Sequence, residues 1–192
     1  MTALSRIILL SMSIWLIGCS SSSGTKSIEK LGDGNVVTTY DDPKYGLRLT
    51  YPGDWEEQSI PFMLRPKGTI IVLKAQSKVD GTRMPPTMSV VANDKASGAS
   101  LEQMQQQMID KAKGQFSDFK LIESGDAKLG TEPAKRITYT GSKLGVSLQV
   151  MNVIATHGGK GFAVAYSADP EIFAQELPDV QKVIESIRWV QR

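Results

Sequence analysis

The sequence is poor in the residues from which metal and nucleophilic sites are most often built. It contains one cysteine, Cys19, and one histidine, His157. A lone cysteine excludes an internal disulfide framework and a cysteine-based zinc site. A lone histidine likewise excludes a histidine-cluster metal site within one chain.

Neither sign of charge dominates the composition. The chain has 22 Lys and Arg residues against 20 Asp and Glu residues, a formal net charge of +2. Proteins that bind nucleic acid normally carry a basic face or stripe. The near-neutral balance therefore gives no support for a nucleic-acid partner.

The sequence also lacks a long apolar run. A membrane-spanning helix needs roughly 20 consecutive apolar residues, whereas the apolar run at residues 7–16 is shorter and is interrupted by Ser11 and Ser13. With Arg6 in front of it, the run has the length and flanking charge of a signal peptide. The four residues that end the segment resemble the lipobox of bacterial lipoproteins. They are Leu16, Ile17, Gly18 and Cys19.

The lipobox resemblance implies that signal peptidase removes residues 1–18 and that the thiol of Cys19 carries lipid. The Ser-, Gly- and Lys-rich residues 19–35 are then expected to form a flexible tether, with the folded domain at 36–192. This interpretation predicts a domain outside the cytoplasm, anchored to the cell membrane or the outer membrane. An uncleaved anchor, or a chance cysteine beside glycine, remains the alternative.

Strand patterns fill most of the remaining sequence. Residues 36–40 are β-branched and aromatic, and residues 45–51 alternate apolar and polar side chains, as half-buried strands do. The last four predicted strands, from residue 119 to residue 168, are joined by connections so short that they require antiparallel hairpins. The predicted strands are 36–40, 45–51, 60–64, 69–76, 87–93, 119–129, 133–140, 145–156 and 161–168.

Two amphipathic helices complete the pattern. The first begins with a capping box formed by Ser100 and Gln103, and the second begins at Asp169 with Pro170 in the first helical position. Two helices on an antiparallel sheet predict an α+β fold of sandwich type. The expected inward-facing residues are Leu101, Met104, Met108 and Ala112 in the first helix, and Leu177, Val180, Val183, Ile184 and Ile187 in the second.

Several segments together resemble the PsbP-like family, which includes extrinsic subunits of photosystem II, bacterial lipoproteins of the DcrB group and a yeast nuclear-import factor. Residues 45–55 (YGLRLTYPGDW) are similar to the family's opening signature, which joins an apolar strand to Y-P-x-x-W. Residues 129–134 (LGTEPA) resemble its G-x-P-A hairpin, and residues 161–166 (GFAVAY) its last strand. Ile187 stands where family members usually have phenylalanine.

The resemblance implies an α/β/α sandwich around an antiparallel sheet and a docking or assembly role. Some family members have been associated with calcium, chloride, manganese or zinc, but no ligand residue carries over, because His157 has no second histidine beside it. Neither a phosphate-binding loop nor a G-x-S-x-G nucleophile motif is present. We therefore expect no cofactor and no catalytic activity.

The candidate contact residues for a partner are few. Trp189 and Arg188 belong to residue types that are enriched in interface hot spots, and Arg83 lies in a polar loop at residues 78–86. The expected partners are the membrane, through Cys19, and an unidentified envelope protein. The alternatives are an accessory subunit of a photosynthetic complex and a hydrolase that uses His157 before Gly158 and Gly159.

Overall fold

A computed structural model describes residues 24–61, 65–75, 84–94 and 98–190. The predicted signal peptide, Cys19 and Arg83 lie outside these ranges. In chain order the elements are β1 (Thr25–Lys30), β2 (Val36–Asp42), β3 (Leu47–Pro52), β4 (Glu56–Glu57), β5 (Thr69–Lys74), β6 (Thr87–Asn93), α1 (Leu101–Gln115), β7 (Ser117–Leu129), β8 (Glu132–Lys143), β9 (Val146–His157), β10 (Lys160–Ala168), α2 (Phe173–Ser186) and β11 (Arg188–Trp189).

The described strands form two antiparallel sheets. The large sheet has the order β4-β5-β6-β10-β9-β8-β7, and the small sheet has the order β1-β2-β3-β11. Helix α1 packs on one face of the large sheet, while α2 and the small sheet pack on the other. The predicted α+β class and the α/β/α layering are confirmed. The division of the strands into two sheets was not predicted.

Helix α1 starts as its sequence predicts. The Ser100 hydroxyl accepts a hydrogen bond from the Gln103 backbone N–H at 3.2 Å, and the Gln103 side chain accepts one from the Ser100 N–H at 2.9 Å. Both bonds satisfy amides that the first helical turn leaves without partners. The inward face is centred on Ile109 and Ala112, with Met104 and Met108 half-buried beside them.

Helix α2 begins three residues later than Pro170, at Phe173. The carbonyl of Asp169 accepts hydrogen bonds from the N–H groups of Ile172 and Phe173, and its carboxylate accepts one from the N–H of Glu171. These bonds form a turn in front of the helix, so the prediction that Asp169 is the N-cap is wrong. The predicted apolar stripe does face inward. Its members Val180, Val183 and Ile187 are fully buried.

Residues 19–35 were predicted to form a flexible tether, and this prediction is wrong for the part that the structure describes, residues 24–35. Residues Thr25–Lys30 form β1, which pairs along its whole length with β2, although all six of its side chains are exposed. Strand β1 is held by backbone hydrogen bonds at the sheet edge rather than by a buried face, so no apolar pattern marks it. Gly24 packs against the Tyr40 ring, where a Cβ atom would lie 2.3 Å from it.

One further strand prediction is not matched. Residues 60 and 61 are not in a strand, and residues 62–64 lie outside the described ranges. The edge position beside β5 is taken instead by the two residues of β4. The predicted strand at 87–93 coincides with β6, and the four late strands match β7 to β10 to within three residues at each end.

Candidate functional sites at the sheet end and beside the first helix

The hairpin between β9 and β10 places His157 at the end of the large sheet. Gly158 and Gly159 both have positive φ angles, 56° and 74°, as a tight hairpin turn with primed geometry requires. The His157 Nδ1 atom lies 2.9 Å from a carboxylate oxygen of Glu132 on β8. Gly158 and Gly159 therefore form a tight hairpin turn, which accounts for both glycines without an oxyanion-binding role.

The ring of Trp189 packs between two aromatic residues of that hairpin. Its centroid is 4.3 Å from the His157 ring, with the planes 8° apart, and 4.5 Å from the Phe162 ring. Tyr45 meets Phe162 edge-on at 6.1 Å. The indole Nε1 is buried and has no hydrogen-bond partner among the described residues. Most of the Trp189 ring thus belongs to the packing at the sheet end.

Arg188 lies on the opposite face of β11 from Trp189, because successive side chains of a strand alternate. It is exposed on the outer side of the small sheet, directly opposite Arg48 of β3. Arg48 in turn binds the carboxylate of Asp41 through two nitrogens, at 2.7 and 3.1 Å. This bond raises the pKa of Arg48. The structure therefore does not join Arg188 and Trp189 into one surface.

A second site was not predicted from the sequence. A groove of about 310 Å³ runs beside α1 over the large sheet. Two rows of residues cross its floor, each in register across β6, β10 and β9. The first row is Thr87, Ser167 and Val150, and the second is Ser89, Ala165 and Asn152.

Asn152 is the unusual residue of this floor. It is 5% exposed, and its Nδ2 atom has no regular hydrogen-bond partner in the described part of the chain. Its amide makes only a weak hydrogen-bonding contact with the hydroxyl of Tyr139, which lowers the pKa of that tyrosine in smaller part, while burial raises it. A buried donor that is incompletely hydrogen-bonded is costly in a folded protein. An amide nitrogen carries two N–H donors, so Asn152 retains donor capacity for a ligand in the groove.

A signal for this site exists in the sequence. Leu148, Val150, Asn152 and Ile154 occupy alternate positions of β9 on one face. Three of the four are apolar, so Asn152 is the one polar residue in a row whose pattern predicts a buried strand face. The row shows that a polar group is buried, but only the fold shows that a groove lies above it.

Some kinds of site have no counterpart in the described residues. Within residues 24–61, 65–75, 84–94 and 98–190, no three His, Cys, Asp or Glu side chains are grouped so as to hold a metal ion. Neither α1 nor α2 combines the length and the apolar character that crossing a membrane requires.

Solved structures resemble this fold at low sequence identity. CyanoP, the cyanobacterial PsbP of Synechocystis sp. PCC 6803, is 15% identical with a TM-score of 0.58, over 80% of this chain and 92% of its own. LpqN of Mycobacterium tuberculosis, described as involved in cell envelope biogenesis, is 16% identical with a TM-score of 0.55, over 88% and 92%. PA94 of Pseudomonas aeruginosa, a protein of unknown function, is 15% identical with a TM-score of 0.54, over 88% and 99%.

No protein-family model and no curated protein matches the sequence. The structural likenesses establish that the chain has the PsbP-like fold, as its residues predict. Identities of this size carry the fold alone, so function has to be argued from the chain itself.

Proposed function

We propose that the chain is a bacterial lipoprotein whose PsbP-like domain is a non-catalytic binding or assembly module of the cell envelope. The observation that carries the proposal is the lipobox-like sequence ending at Cys19, placed a few residues before a domain of this fold. The description of LpqN as involved in cell envelope biogenesis supports the same compartment.

The position of β1 makes the proposed anchor short. Only five residues separate Cys19 from Thr25, where pairing with β2 begins. A fully extended chain spans at most about 3.6 Å per residue, so the domain would lie within roughly 20 Å of the lipidated residue. A free tether to residue 35 would allow more than twice that reach. The module therefore acts on partners at or just above the bilayer surface.

Lipidation of Cys19 is tested by metabolic labelling with an alkyne fatty acid and by globomycin, which blocks lipoprotein signal peptidase. We expect labelled protein in the membrane fraction, and accumulation of the uncleaved form with globomycin. Cys19→Ser should abolish labelling and release the protein from the membrane. Ser22→Ala is the matched control and should behave as the unchanged chain. Labelling that persists in Cys19→Ser would overturn the anchor.

Partner binding is tested by photo-crosslinking in intact cells. A crosslinking residue replaces Arg188 on the outer face of the small sheet, or Arg83 in its loop, and Lys113 on the solvent side of α1 serves as the control. We expect the same envelope protein to be captured from Arg188 or Arg83 but not from Lys113. Absence of any adduct from both arginine positions would remove them as contacts.

The non-catalytic part of the proposal competes with a hydrolase at His157. The pairing of His157 with Glu132 resembles the way in which a carboxylate orients a catalytic histidine, which gives that alternative its one geometric observation. A substrate panel on the purified full chain decides between them. The proposal predicts no turnover, whereas a turnover that disappears in His157→Ala would overturn it.

The second candidate function is an accessory subunit of a photosynthetic complex. The likeness to CyanoP favours it. Deletion of the gene in a photosynthetic source should then lower oxygen evolution, and an organism without photosynthesis rules this candidate out.

A further inference from the structure

We infer that the groove beside α1 binds a small amphipathic carboxylate of about ten non-hydrogen atoms. The inference names a ligand class for the binding module proposed above and rests on that function, but it does not depend on the lipid anchor. It is carried by the volume of the groove, by the buried amide on its floor and by the charge of its rim.

The volume sets the size of the ligand. The groove encloses about 310 Å³, which is at the lower end of the range for small-molecule sites. At about 30 Å³ for each water-sized group, this space holds on the order of ten non-hydrogen atoms. A single short acyl chain or an aromatic acid fits this limit, and a two-chain phospholipid does not.

The floor and one wall supply the apolar contacts. Val150 and Leu148 of β9 lie along the floor, Ala165 of β10 lies beside them, and Met108 of α1 forms the wall. Methionine adapts its shape to ligands more readily than branched side chains do. These residues favour a ligand with an apolar body.

The buried amide requires an acceptor. Asn152 Nδ2 carries two N–H donors; its contact with Tyr139 is weak, and neither donor makes a regular hydrogen bond among the described residues. A carboxylate oxygen would accept a hydrogen bond from this amide and from the Tyr139 hydroxyl, and it would reduce the cost of the incompletely paired donor. The hydroxyls of Thr87, Ser89 and Ser167 lie on the β6 and β10 part of the same floor.

The charge of the rim selects an anion. The described lining contains two cations, Lys111 and Lys143, and no carboxylate. Both lysines are exposed, so they attract an anion over a distance and lose this effect at high salt. The groove therefore combines an apolar floor, a buried donor and a positive rim.

The test uses the full chain carrying Cys19→Ser, so that no acyl group of its own competes, and octanoate as the probe in titration calorimetry. We expect saturable binding that weakens roughly fourfold for each methylene removed. Octylammonium and acetate, which lack the negative charge and the apolar body respectively, should not bind measurably. A concentration of about 10 mM is the upper limit for a weak small-ligand affinity. The absence of saturable octanoate binding below that concentration would overturn the inference, and so would equal binding of octylammonium.

Matched variants place the ligand in the groove. Ala165→Leu fills the groove and should weaken octanoate binding at least about tenfold, because the added carbons occupy the ligand space. Ala163→Leu makes the same change two residues along the same face of β10, outside the lining, and should leave binding unchanged. Equal affinity of Ala165→Leu and Ala163→Leu would overturn the location.

Two further variants separate the buried amide from the rim charge. Asn152→Leu should weaken octanoate binding about tenfold through the lost charge-assisted hydrogen bond, while the thermal midpoint stays equal or rises, because a buried and incompletely hydrogen-bonded amide is removed. Lys111→Ala should weaken binding a few-fold at low salt and not at 1 M NaCl, with Lys113→Ala of the same helix as its control. Unchanged affinity in Asn152→Leu would overturn the role of the amide. Failure of these ligand tests leaves the Cys19 labelling test unaffected, so the two proposals fail separately.

Discussion

The two faces of the large sheet differ in how completely they are covered. On one face, α2 and the small sheet bury a continuous core in which Phe162 and Tyr166 are 2% exposed or less. On the other face, α1 is the one described helix that packs over β8 and β9, with Met84 beside its cluster, and the groove over β6 and β10 is open among the described residues. The first is called the closed face and the second the open face.

The widths of the elements explain this difference. A helix with its side chains is about 10–12 Å wide, and neighbouring strands are about 4.8 Å apart, so one helix covers two or three strands. The large sheet has seven strands. Within the part of the chain that the structure describes, the closed face is the one covered by both a helix and a second sheet. The larger buried cluster therefore lies on the closed face, whereas the open face has a smaller cluster and room for a ligand.

The largest expected contrast comes from removing a phenyl ring on each face. Phe162→Ala on the closed face should lower the free energy of unfolding by about 3–5 kcal/mol, as for other buried rings. Phe116→Ala at the end of α1, where the ring is half-buried, should cost less than about 2 kcal/mol. Urea unfolding measures both values. Equal losses would contradict the division between a closed and an open face.

Two hairpin glycines, Gly130 and Gly145, should differ in how much an added Cβ atom destabilises the fold. Gly130 joins β7 to β8 with φ of +58°, and a Cβ atom there would lie 2.2 Å from the Ile187 carbonyl oxygen. Gly145 joins β8 to β9 with φ of +78° and has open space around it. Gly145→Ala should cost only the left-handed backbone penalty of about 1–2 kcal/mol. Gly130→Ala should cost about 2–5 kcal/mol, because the end of α2 must also move.

Thermal melting of the two glycine variants, compared with the unchanged chain, gives the ranking. If Gly145→Ala proved as destabilising as Gly130→Ala, the close contact between this turn and Ile187 would carry no energetic weight.

The side-chain hydrogen bond from α2 to the small sheet is shorter than the one from α1 to the large sheet. The Ser186 hydroxyl of α2 accepts from the Thr50 N–H at 2.9 Å and lies 2.7 Å from the Val183 carbonyl oxygen. The Gln105 amide of α1 makes one bond, to the Arg136 carbonyl, at 3.2 Å. We expect Ser186→Ala to cost about 1–2 kcal/mol and Gln105→Ala about 0.5 kcal/mol in urea unfolding. The reverse order would show that α1 is held more firmly than α2.

The last comparison concerns alkaline pH, where the effect vanishes below pH 10. Burial, with a further contribution from Glu57, raises the pKa of Tyr51 from 10.0 to about 12. The stability from keeping Tyr51 neutral is therefore complete below pH 10 and is lost as pH rises through 12, with about 1.4 kcal/mol lost by pH 11. Tyr51→Phe should flatten the fall in unfolding free energy between pH 9 and 11.

Tyr139 on the open face is the comparison for Tyr51. Burial raises its pKa too, but the Asn152 side chain acts in the opposite direction. Tyr139→Phe should therefore flatten the alkaline slope less than Tyr51→Phe does. An identical slope in the two variants would mean that the faces do not differ at these tyrosines.

Much of the fold could be predicted because its signals are local. The capping box at Ser100 and the hairpin glycines at 158 and 159 act within a few residues, and each forms as its residues predict. Strand β1 escaped prediction because it is held chiefly by backbone pairing with β2 and buries no apolar face that a sequence pattern could reveal. The groove escaped because its floor joins β6 to the β9–β10 hairpin, and α1, β7 and β8 lie between them in the sequence.

The sequence by itself determined the lipobox-like motif, the class of the fold and the inward face of α2, since alternation, helical spacing and turn residues are set by neighbours along the chain. The inward face of α1 was predicted in part, because Ala112 is buried as expected but Ile109, which was not predicted, lies at the centre of that face. Tertiary structure alone decided that Trp189 stacks on His157, that Arg188 faces away from it, and that Asn152 lies buried and incompletely hydrogen-bonded beneath an open groove. These features depend on which strands pair and which faces are covered. Strand pairing and face coverage are decided by packing over the whole sheet, so no short segment of the sequence predicts them.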